Sequence, residues 1–437
     1  MSPLALHGGK PVRTQRFPAH NFIGQEEKSA VLRVLDSGIL SQFLGTWHED
    51  FYGGKAVREL EAAWAEFVHV KHAVSVNSAA SGLLAAVGAA GIGPGDEVIV
   101  PPYTMSATAT AIVNYGGVPV FADIQADTFC LNPESIRQKI TSRTKAIMVV
   151  HLFGHPADMD EIIFLAHEHG LIVIEDAAQA PGAIYKHRPV GSLGDMTVFS
   201  LNYHKHIHSG EGGVVSTGSD HFAERLQLIR NHGESVVEGK GVKDLVNTFG
   251  FNLRMTEVTA AIALEQLRKL PRLLDQRIAN ADFLSKHLGA LPGIQAPVVR
   301  AKCKHVYYVQ PFLFDEPKVG VPRDRFIEAV NAELPTAEDR DEPLLSAGYQ
   351  KPLYMLPMYQ QQLAFGKSGF PFRSPHYQGK VDYHKGICPV TEAVEENRMM
   401  LSEYMRPPST LKDMQDVVTA FVKVYEQRKS LAETAAV

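Results

Sequence analysis

The sequence predicts an α/β fold: a mainly parallel, helix-covered sheet followed by a smaller α+β domain. Three observations predict it. From about residue 72 onward, short β-rich runs bounded by turns alternate with helical segments, the rhythm of parallel βα units. At 437 residues the chain exceeds what one simple core accommodates, so two domains are expected. The rhythm also changes after one long helical stretch that begins near Thr256.

In order, residues 1–24 are polar and marked by Pro and Gly, and read as an arm rather than a packed element. From Gln25, the spacing of Ala30, Val31, Val34 and Leu35 is helical, and "AVRELEAAWAEFV" reads as a second helix. "HAVSV" is a short apolar strand, "SAASGLLAAVGAAG" a small-residue helix, "GPGDEVIVP" a turn and strand, and "ATATAIVNYGG" a helix. "VPVFADI", "PESIRQKIT", "KAIMVVH", "ADMDEIIFLAHEHG" and "LIVIED" continue the alternation. "MTVFSL" is another apolar run, and the Gly-bracketed "SGEGGVVST" turns into a further strand. The stretch from "TEVTAAIALEQLRKL" to "HLGAL" is helical, with an interruption expected at Pro271. Beyond it, "HVYYVQPFLF" reads as an alternating strand, "RDRFIEAVNAE" as a helix and "LKDMQDVVTAFVKVYEQRK" as a closing amphipathic helix. The expected division is an arm over 1–24, a large domain over 25–270 and a small domain over 271–437. Residues 335–390, rich in Pro, Gly, Tyr and His, resist assignment, which marks a functional segment or a misread one.

Composition narrows the function. With 45% hydrophobic and 21% charged residues the chain is an ordinary globular protein. A net charge of -5 gives no reason to expect nucleic acid or an anionic membrane as partner. Cys130, Cys303 and Cys388 are far apart and form no CxxC, so neither a disulfide framework nor a thiolate metal site is expected, and a reducing cytoplasm fits. The first residues lack a signal-peptide apolar run, and no stretch has the length of a membrane span.

The chemistry gathers at two places. "LIVIED" delivers Glu175 and Asp176 to the carboxyl end of a strand, where ligands collect in open α/β sheets. A lone acid there more often caps the next helix. Lys205 follows 29 positions after Asp176, in "FSLNYHKHIHSGEGG", between two sheet elements. Partial desolvation there lowers an ammonium pKa and makes the amine a usable nucleophile. A Schiff-base lysine with a buried carboxylate facing a pyridinium nitrogen is the signature of pyridoxal phosphate enzymes. "NSAASG" (Asn77 to Gly82) supplies small residues at a strand-to-helix turn where backbone N–H groups can hold a phosphate, and Ser200 can add a hydroxyl. His204, His206 and His208 alternate, and on an extended segment would share the face opposite Lys205. No fourth donor follows at zinc-like spacing, so no metal is expected and hydrogen bonding is the role assigned to them.

These segments in this order resemble the DegT/DnrJ/EryC1/StrS aminotransferases, pyridoxal phosphate enzymes of the fold-type I (aspartate aminotransferase-like) architecture. The resemblance runs from about residue 25 to the C-terminus and is strongest in "GIGPGDEVIVPPYT", "GGVPVFADI", "VIEDAAQAPGA", "VGSLGDMTVFSL" and "GFNLRMTEVTAAIALEQL". The N-terminal "LALHGGKPVRTQRFPA" is also similar to the branch acting on cyclitols, the scyllo-inosose aminotransferases. The resemblance implies that Lys205 is the Schiff-base lysine and Asp176 the partner of the pyridinium nitrogen. It implies that Gln179 meets the cofactor's phenolic oxygen, and that Ser200 and the backbone around Ala79 and Ala80 bind the phosphate. Asn252 would reach the phosphate in the neighbouring subunit of a homodimer with shared sites.

Two departures stand out. Ala79-Ala80 replaces the usual Gly-Thr, so a hydroxyl is missing that Ser78 or Ser81 could replace. Met105 stands where an aromatic commonly stacks on the ring, so Met105 or Tyr103 takes that place. The implied reaction moves an amino group from glutamate or glutamine to a keto-sugar, nucleotide-linked, or alternatively to a keto-cyclitol. A sugar dehydratase of this fold carries histidine in place of the lysine, so Lys205 argues against it. A non-catalytic sensor is disfavoured by the intact Lys205, Asp176 and Gln179.

Overall fold

Every strand of the expected βα series forms, because each apolar run can bury both of its faces. In the computed structural model, which describes residues 2–432, these runs make one sheet. Its strands are β1 (His72–Val76), β2 (Glu97–Val100), β3 (Val118–Phe121), β4 (Thr144–Val150), β5 (Ile172–Asp176), β6 (Met196–Ser200) and β7 (Gly213–Thr217). Their order across the sheet is β1-β7-β6-β5-β4-β2-β3. β7 lies antiparallel to β1 and β6, and the pairings from β6 to β3 are parallel. Side chains alternate across a strand, so in β4 Ala146 and Met148 enter one core while Ile147 and Val149 enter the other.

The helices are α1 (Gln25–Ser37), α2 (Lys55–Phe67), α3 (Ala79–Ala89), α4 (Ala107–Asn114), α5 (Pro133–Lys139), α6 (Met159–His169) and α7 (Asp220–Arg230). α3, α4 and α7 cover one face; α2 and α6 cover the other. The small residues of α3 let it lie close to the sheet. A Cβ on Gly82 would come within 2.8 Å of Val198 Cγ1 and 3.1 Å of Val215 Cγ2.

The second half departs from expectation in four respects. The long helix α8 (Glu257–Leu288) is continuous through Pro271, not interrupted there. An internal proline costs about 3 kcal/mol. Leu270, Leu273 and Leu274 around it are buried, and burial contributes about 1.5–3 kcal/mol per leucine, so packing holds the helix together. α8 also runs across the expected boundary: Leu267 and Leu274 belong to the first domain's core, Ala281 and Leu284 to another, and Ile278 packs on both.

That other core lies under a sheet of β8 (Ile294–Gln295), β9 (Gln310–Phe314), β10 (Leu345–Ala347) and β11 (Met399–Ser402), ordered β8-β9-β11-β10 and antiparallel throughout. Helices α9 (Arg323–Glu333) and α10 (Leu411–Glu426) complete it. "HVYYVQPFLF" yields only β9, buried at every position rather than alternating, because Tyr307 turns the chain with φ 48° just before it.

Residues 353–390 return to the first domain, contrary to a continuous small domain over 271–437. Tyr354, Tyr359 and Tyr383 surround Phe121 of β3 at centroid distances of 5.4–5.7 Å. The Tyr383 hydroxyl donates to Pro119 O at 2.8 Å, and Tyr377 donates to Glu97 Oε1 at 2.9 Å. This is the segment that resisted assignment: its aromatics are core residues of a partner distant in sequence.

The N-terminal segment is likewise packed, not a free arm. Leu4 and Phe17 are buried in the second core. The buried carboxylate of Glu333 accepts from Ala5 N at 2.8 Å and Val12 N at 3.1 Å, and pairs with Lys423 Nζ at 2.8 Å. No helix among the described residues is long and apolar enough to cross a membrane. Glu333→Ala leaves the buried Lys423 charge with only the Lys10 carbonyl as partner, which costs about 3–5 kcal/mol. A urea denaturation curve should show that loss, and limited proteolysis should become fast ahead of residue 20.

Candidate active site

β5 carries its two acids to opposite faces. Glu175 is fully buried and accepts three bonds of 2.7 Å, from His151 Nε2, Gly194 N and Thr197 Oγ1. His151 Nδ1 accepts from Ala157 N at 3.0 Å, so the ring proton sits on Nε2 and is donated to Glu175. Burial alone would push this carboxyl up, but His151 and the other donors hold it below its ordinary range. Asp176 is differently placed. Its Oδ2 accepts from Thr108 Oγ1 at 2.8 Å and its Oδ1 from Ala178 N at 3.1 Å. Burial raises its pKa against those bonds and against the charge of Lys205.

Lys205 follows β6 in a chain of turns. Its N–H donates to Asn202 O at 3.0 Å, and its side chain runs inward until the residue is only 9% exposed. The ammonium lies 4.3 Å from the ring centroid of Tyr308. Burial lowers its pKa to about 8, with Asp176 opposing the shift and Arg406 adding to it. This is the desolvated amine expected from the sequence. The three histidines around it do not share one face, because the segment is turned rather than extended. His206 is buried with Nε2 2.9 Å from Val306 O, His204 lines a cavity, and His208 Nδ1 accepts from Gly210 N at 3.4 Å.

The turn expected to hold a phosphate is placed by strand register. Ser200 pairs with Gly213 and Gly213 with Val76, so the turn after Val76 continues the same row. There Ser78 caps α3, accepting from Ser81 N at 3.1 Å, and Ser81 Oγ donates to Asn77 Oδ1 at 2.6 Å. Ala79 and Ala80 open α3, where N–H groups have no preceding carbonyl to bond. A Cβ on Gly213 would lie 2.7 Å from Ala79 N, so only glycine lets β7 pass this turn. Asn252, exposed, comes to the same turn within its own chain: Asn77 N donates to the adjoining Leu253 O at 2.8 Å.

Gln179 is buried, its Oε1 accepting from Phe153 N at 2.7 Å and its Nε2 donating to Tyr349 OH at 2.9 Å. Of the two candidates for stacking, Tyr103 is committed to the core. Its hydroxyl donates to Glu395 Oε2 at 2.6 Å and its ring stands edge-on to Phe153 and Tyr349. Met105 is 55% exposed and remains accessible.

Sequence reasoning missed Thr108, Tyr308, Tyr349, Arg406 and His20. Thr108 had a signal, standing one helical turn after Thr104, whose hydroxyl it meets at 3.2 Å. The others come from the second half or the N-terminal segment and carry no local signature. His20 places Nε2 3.3 Å from Lys205 O and Nδ1 2.8 Å from Pro407 O. A cavity of about 580 Å³ opens beside these groups, lined by Phe17, Pro18, His20, Tyr308, Arg406 and others.

These residues fit pyridoxal phosphate. The chain offers a desolvated amine, a buried carboxylate that senses it, and a helix start crowded against a glycine and a buried serine. Residues 23–372 match the model of the DegT/DnrJ/EryC1/StrS aminotransferase family. The chain belongs to this family. It is a pyridoxal phosphate-dependent aminotransferase of fold type I. The L-glutamine:2-deoxy-scyllo-inosose aminotransferase of Micromonospora echinospora is 33% identical over 444 residues, covering 99% of this chain and 100% of that protein. The GDP-perosamine synthase of Caulobacter vibrioides is 37% identical over 307 residues, covering 70% and 79%. Among solved structures, that of DesI in the presence of its TDP-sugar product superimposes with a TM-score of 0.79 at 29% identity, covering 99% and 98%.

Two measurements check the electrostatics. In cofactor-free protein, Lys205 should react with trinitrobenzenesulfonate along a pH curve centred near 8, well below the ordinary lysine value near 10.4. Acid should also destabilise the fold. Burial lowers His155 to about 4 and His20 to about 3, and holds His206 and His305 well below the ordinary histidine value. The unfolded chain then binds protons below about pH 6.5 that the folded chain refuses, at up to about 1.4 kcal/mol per histidine per pH unit. Stability should fall as pH drops from 6.5 towards 4, read as a falling urea midpoint.

Proposed function

We propose that this aminotransferase takes its amino group from L-glutamine or L-glutamate and delivers it to a keto-cyclitol. The observation that carries transamination is the desolvated Lys205 amine held in the field of buried Asp176. Lys205 holds the cofactor and, once free, takes the proton from the donor's α-carbon as general base. Asp176, kept in place by Thr108 and Ala178, keeps a proton on the ring nitrogen. When bound, the cofactor supplies an electron sink for the pair left at that carbon. Ser200, Ser78 and the N–H groups of Ala79 and Ala80 hold the phosphate. Gln179 would meet the phenolic oxygen and Met105 would pack on the ring. Asn252 serves the phosphate of a neighbouring subunit in a homodimer, and the protein works in the cytoplasm.

Three observations support a cyclitol acceptor. The alignment with the scyllo-inosose aminotransferase spans nearly the whole chain, and the N-terminal segment lines the cavity beside Lys205. The cavity's charged lining, moreover, comprises four carboxylates (Asp339, Asp341, Glu342, Glu403) and two guanidiniums (Arg340, Arg406). Such a lining offers a diphosphate no net positive charge and tolerates an uncharged polyol. A nucleotide-linked keto-sugar is the second reading, supported by the similarity to GDP-perosamine synthase and DesI.

Holoenzyme supplied with L-glutamine or L-glutamate tests both. The donor should discharge the visible band, and 2-deoxy-scyllo-inosose should be aminated with a kcat/KM at least roughly tenfold above that of nucleotide-linked keto-sugars. The reverse preference overturns the acceptor reading, and a band that no donor discharges overturns transamination. Lys205→Ala should lower turnover by roughly 10²–10⁴ or more.

A further inference from the structure

Residues 17–22 cross from one core to the other, with Phe17 buried in the second core and Phe22 packed on the first. Between those two anchors, Pro18 and His20 line the cavity of about 580 Å³ beside Lys205. Both ends are tied by hydrogen bonds. Phe17 N donates to Thr336 O at 3.1 Å and Glu338 N to Phe17 O at 2.9 Å, while Lys269 Nζ donates to Phe22 O at 3.0 Å. The stretch is a strap across the cavity, fixed at each end.

One face of α8 joins this strap to the turns around Lys205. Gln266 and Arg277 are both buried, and they stand about three helical turns apart, so they share a face. Gln266 Nε2 donates to Phe22 O at 3.3 Å, and its Oε1 accepts from His208 N at 3.4 Å. Arg277 Nη1 donates to Tyr307 O at 3.0 Å and Tyr308 O at 3.2 Å, and its Nη2 stands 3.4 Å from His20 Nε2. A guanidinium only donates, so His20 Nε2 is the acceptor and the ring proton sits on Nδ1. That proton goes to Pro407 O at 2.8 Å. Burial, with Arg277 and Arg406 nearby, lowers the His20 pKa to about 3, so the ring is neutral and keeps its lone pair for Arg277.

Held at both nitrogens, the imidazole lies against the Lys205 peptide, with Nε2 3.3 Å from Lys205 O. Its loss frees one arm of Arg277, the group that fixes the carbonyl of Tyr308. The Tyr308 ring is in turn the surface that the Lys205 ammonium approaches to 4.3 Å. We propose that the strap is a built part of the active site and that His20 is a positioning residue for Lys205. It acts through Arg277 on Tyr308 and by direct contact on the Lys205 peptide, and so keeps the amine at its dry depth. A small error in the placement of that amine is felt in proton transfer rather than in substrate binding. This rests on Lys205 as the catalytic amine proposed above.

Three variants test it. His20→Gln keeps an acceptor for Arg277 and a donor for Pro407, His20→Phe fills the space with neither, and His20→Ala does not fill it. In cofactor-free protein, the Lys205 reaction with trinitrobenzenesulfonate is read by difference against Lys205→Ala. Its pH curve should move up by roughly one unit in His20→Phe and His20→Ala and stay near the wild type in His20→Gln. In holoenzyme, His20→Phe should lower kcat roughly tenfold or more and leave both KM values within about twofold. It should also enlarge the isotope effect of an α-deuterated donor, which a merely structural role does not do. His20→Phe with the wild-type titration and kcat overturns the inference, because packing alone then suffices. His20→Gln behaving as His20→Ala overturns it as well. If no donor discharges the visible band of the wild type, transamination falls instead, and the lysine titrations still decide on His20.

Discussion

The removal of an ammonium and a carboxylate from water, at the carboxyl edge of one sheet, is the constraint on which the rest of the structure depends. A buried ion costs several kcal/mol unless hydrogen bonds and opposite charge compensate it. Asp176 receives Thr108 and Ala178, and Lys205 receives the face of Tyr308 and the field of Asp176. The compensation is partial on both sides, and both groups stay shifted toward their neutral forms. That residual destabilisation brings the Lys205 pKa down to about 8, so its amine loses its proton more readily than that of an ordinary lysine.

Neighbouring Glu175 shows the contrast. It lies one residue away on the other face, equally dry, yet His151, Gly194 and Thr197 satisfy it so fully that it remains ionised and inert. Alternation along a strand thus separates an acid held ionised from one whose pKa burial raises. Three bonds aimed at one carboxylate make an anchor, and two make a group that still responds to a ligand.

The surroundings of Lys205 come from far along the chain. Tyr308, Tyr349 and Arg406 belong to the second half, and His20 to the N-terminal segment clamped by Glu333 and Lys423. α8 runs through both cores as one continuous helix, so it ties the two cores together. Glu395 reinforces the junction by accepting from both Tyr103 OH and Tyr349 N.

How much of this was legible depended on the range of the deciding interaction. The β runs could be read because burial on both faces leaves a continuous apolar string. Lys205 and Asp176 could be read because each follows such a string. Pro271 misled because local propensity says break, while the leucines on either side gain more by staying helical. The histidines misled because alternation means one face only on an extended chain, and turns occupy residues 201–212. Polar composition hid the docking of the first segment, whose buried apolar anchors are Leu4 and Phe17 and whose backbone is held by Glu333.

By itself the sequence determined the series of βα units and the family, and it singled out Lys205, Asp176 and the turn at Asn77 to Gly82 as candidates, because short-range pattern carries each of them. The tertiary structure alone decided that Tyr103 is core and Met105 accessible, that residues 353–390 rejoin the first domain, and that Tyr308 and His20 close on Lys205. Those outcomes turn on the burial and charge balance of groups hundreds of residues apart. Such balances exist only once the chain has closed around them.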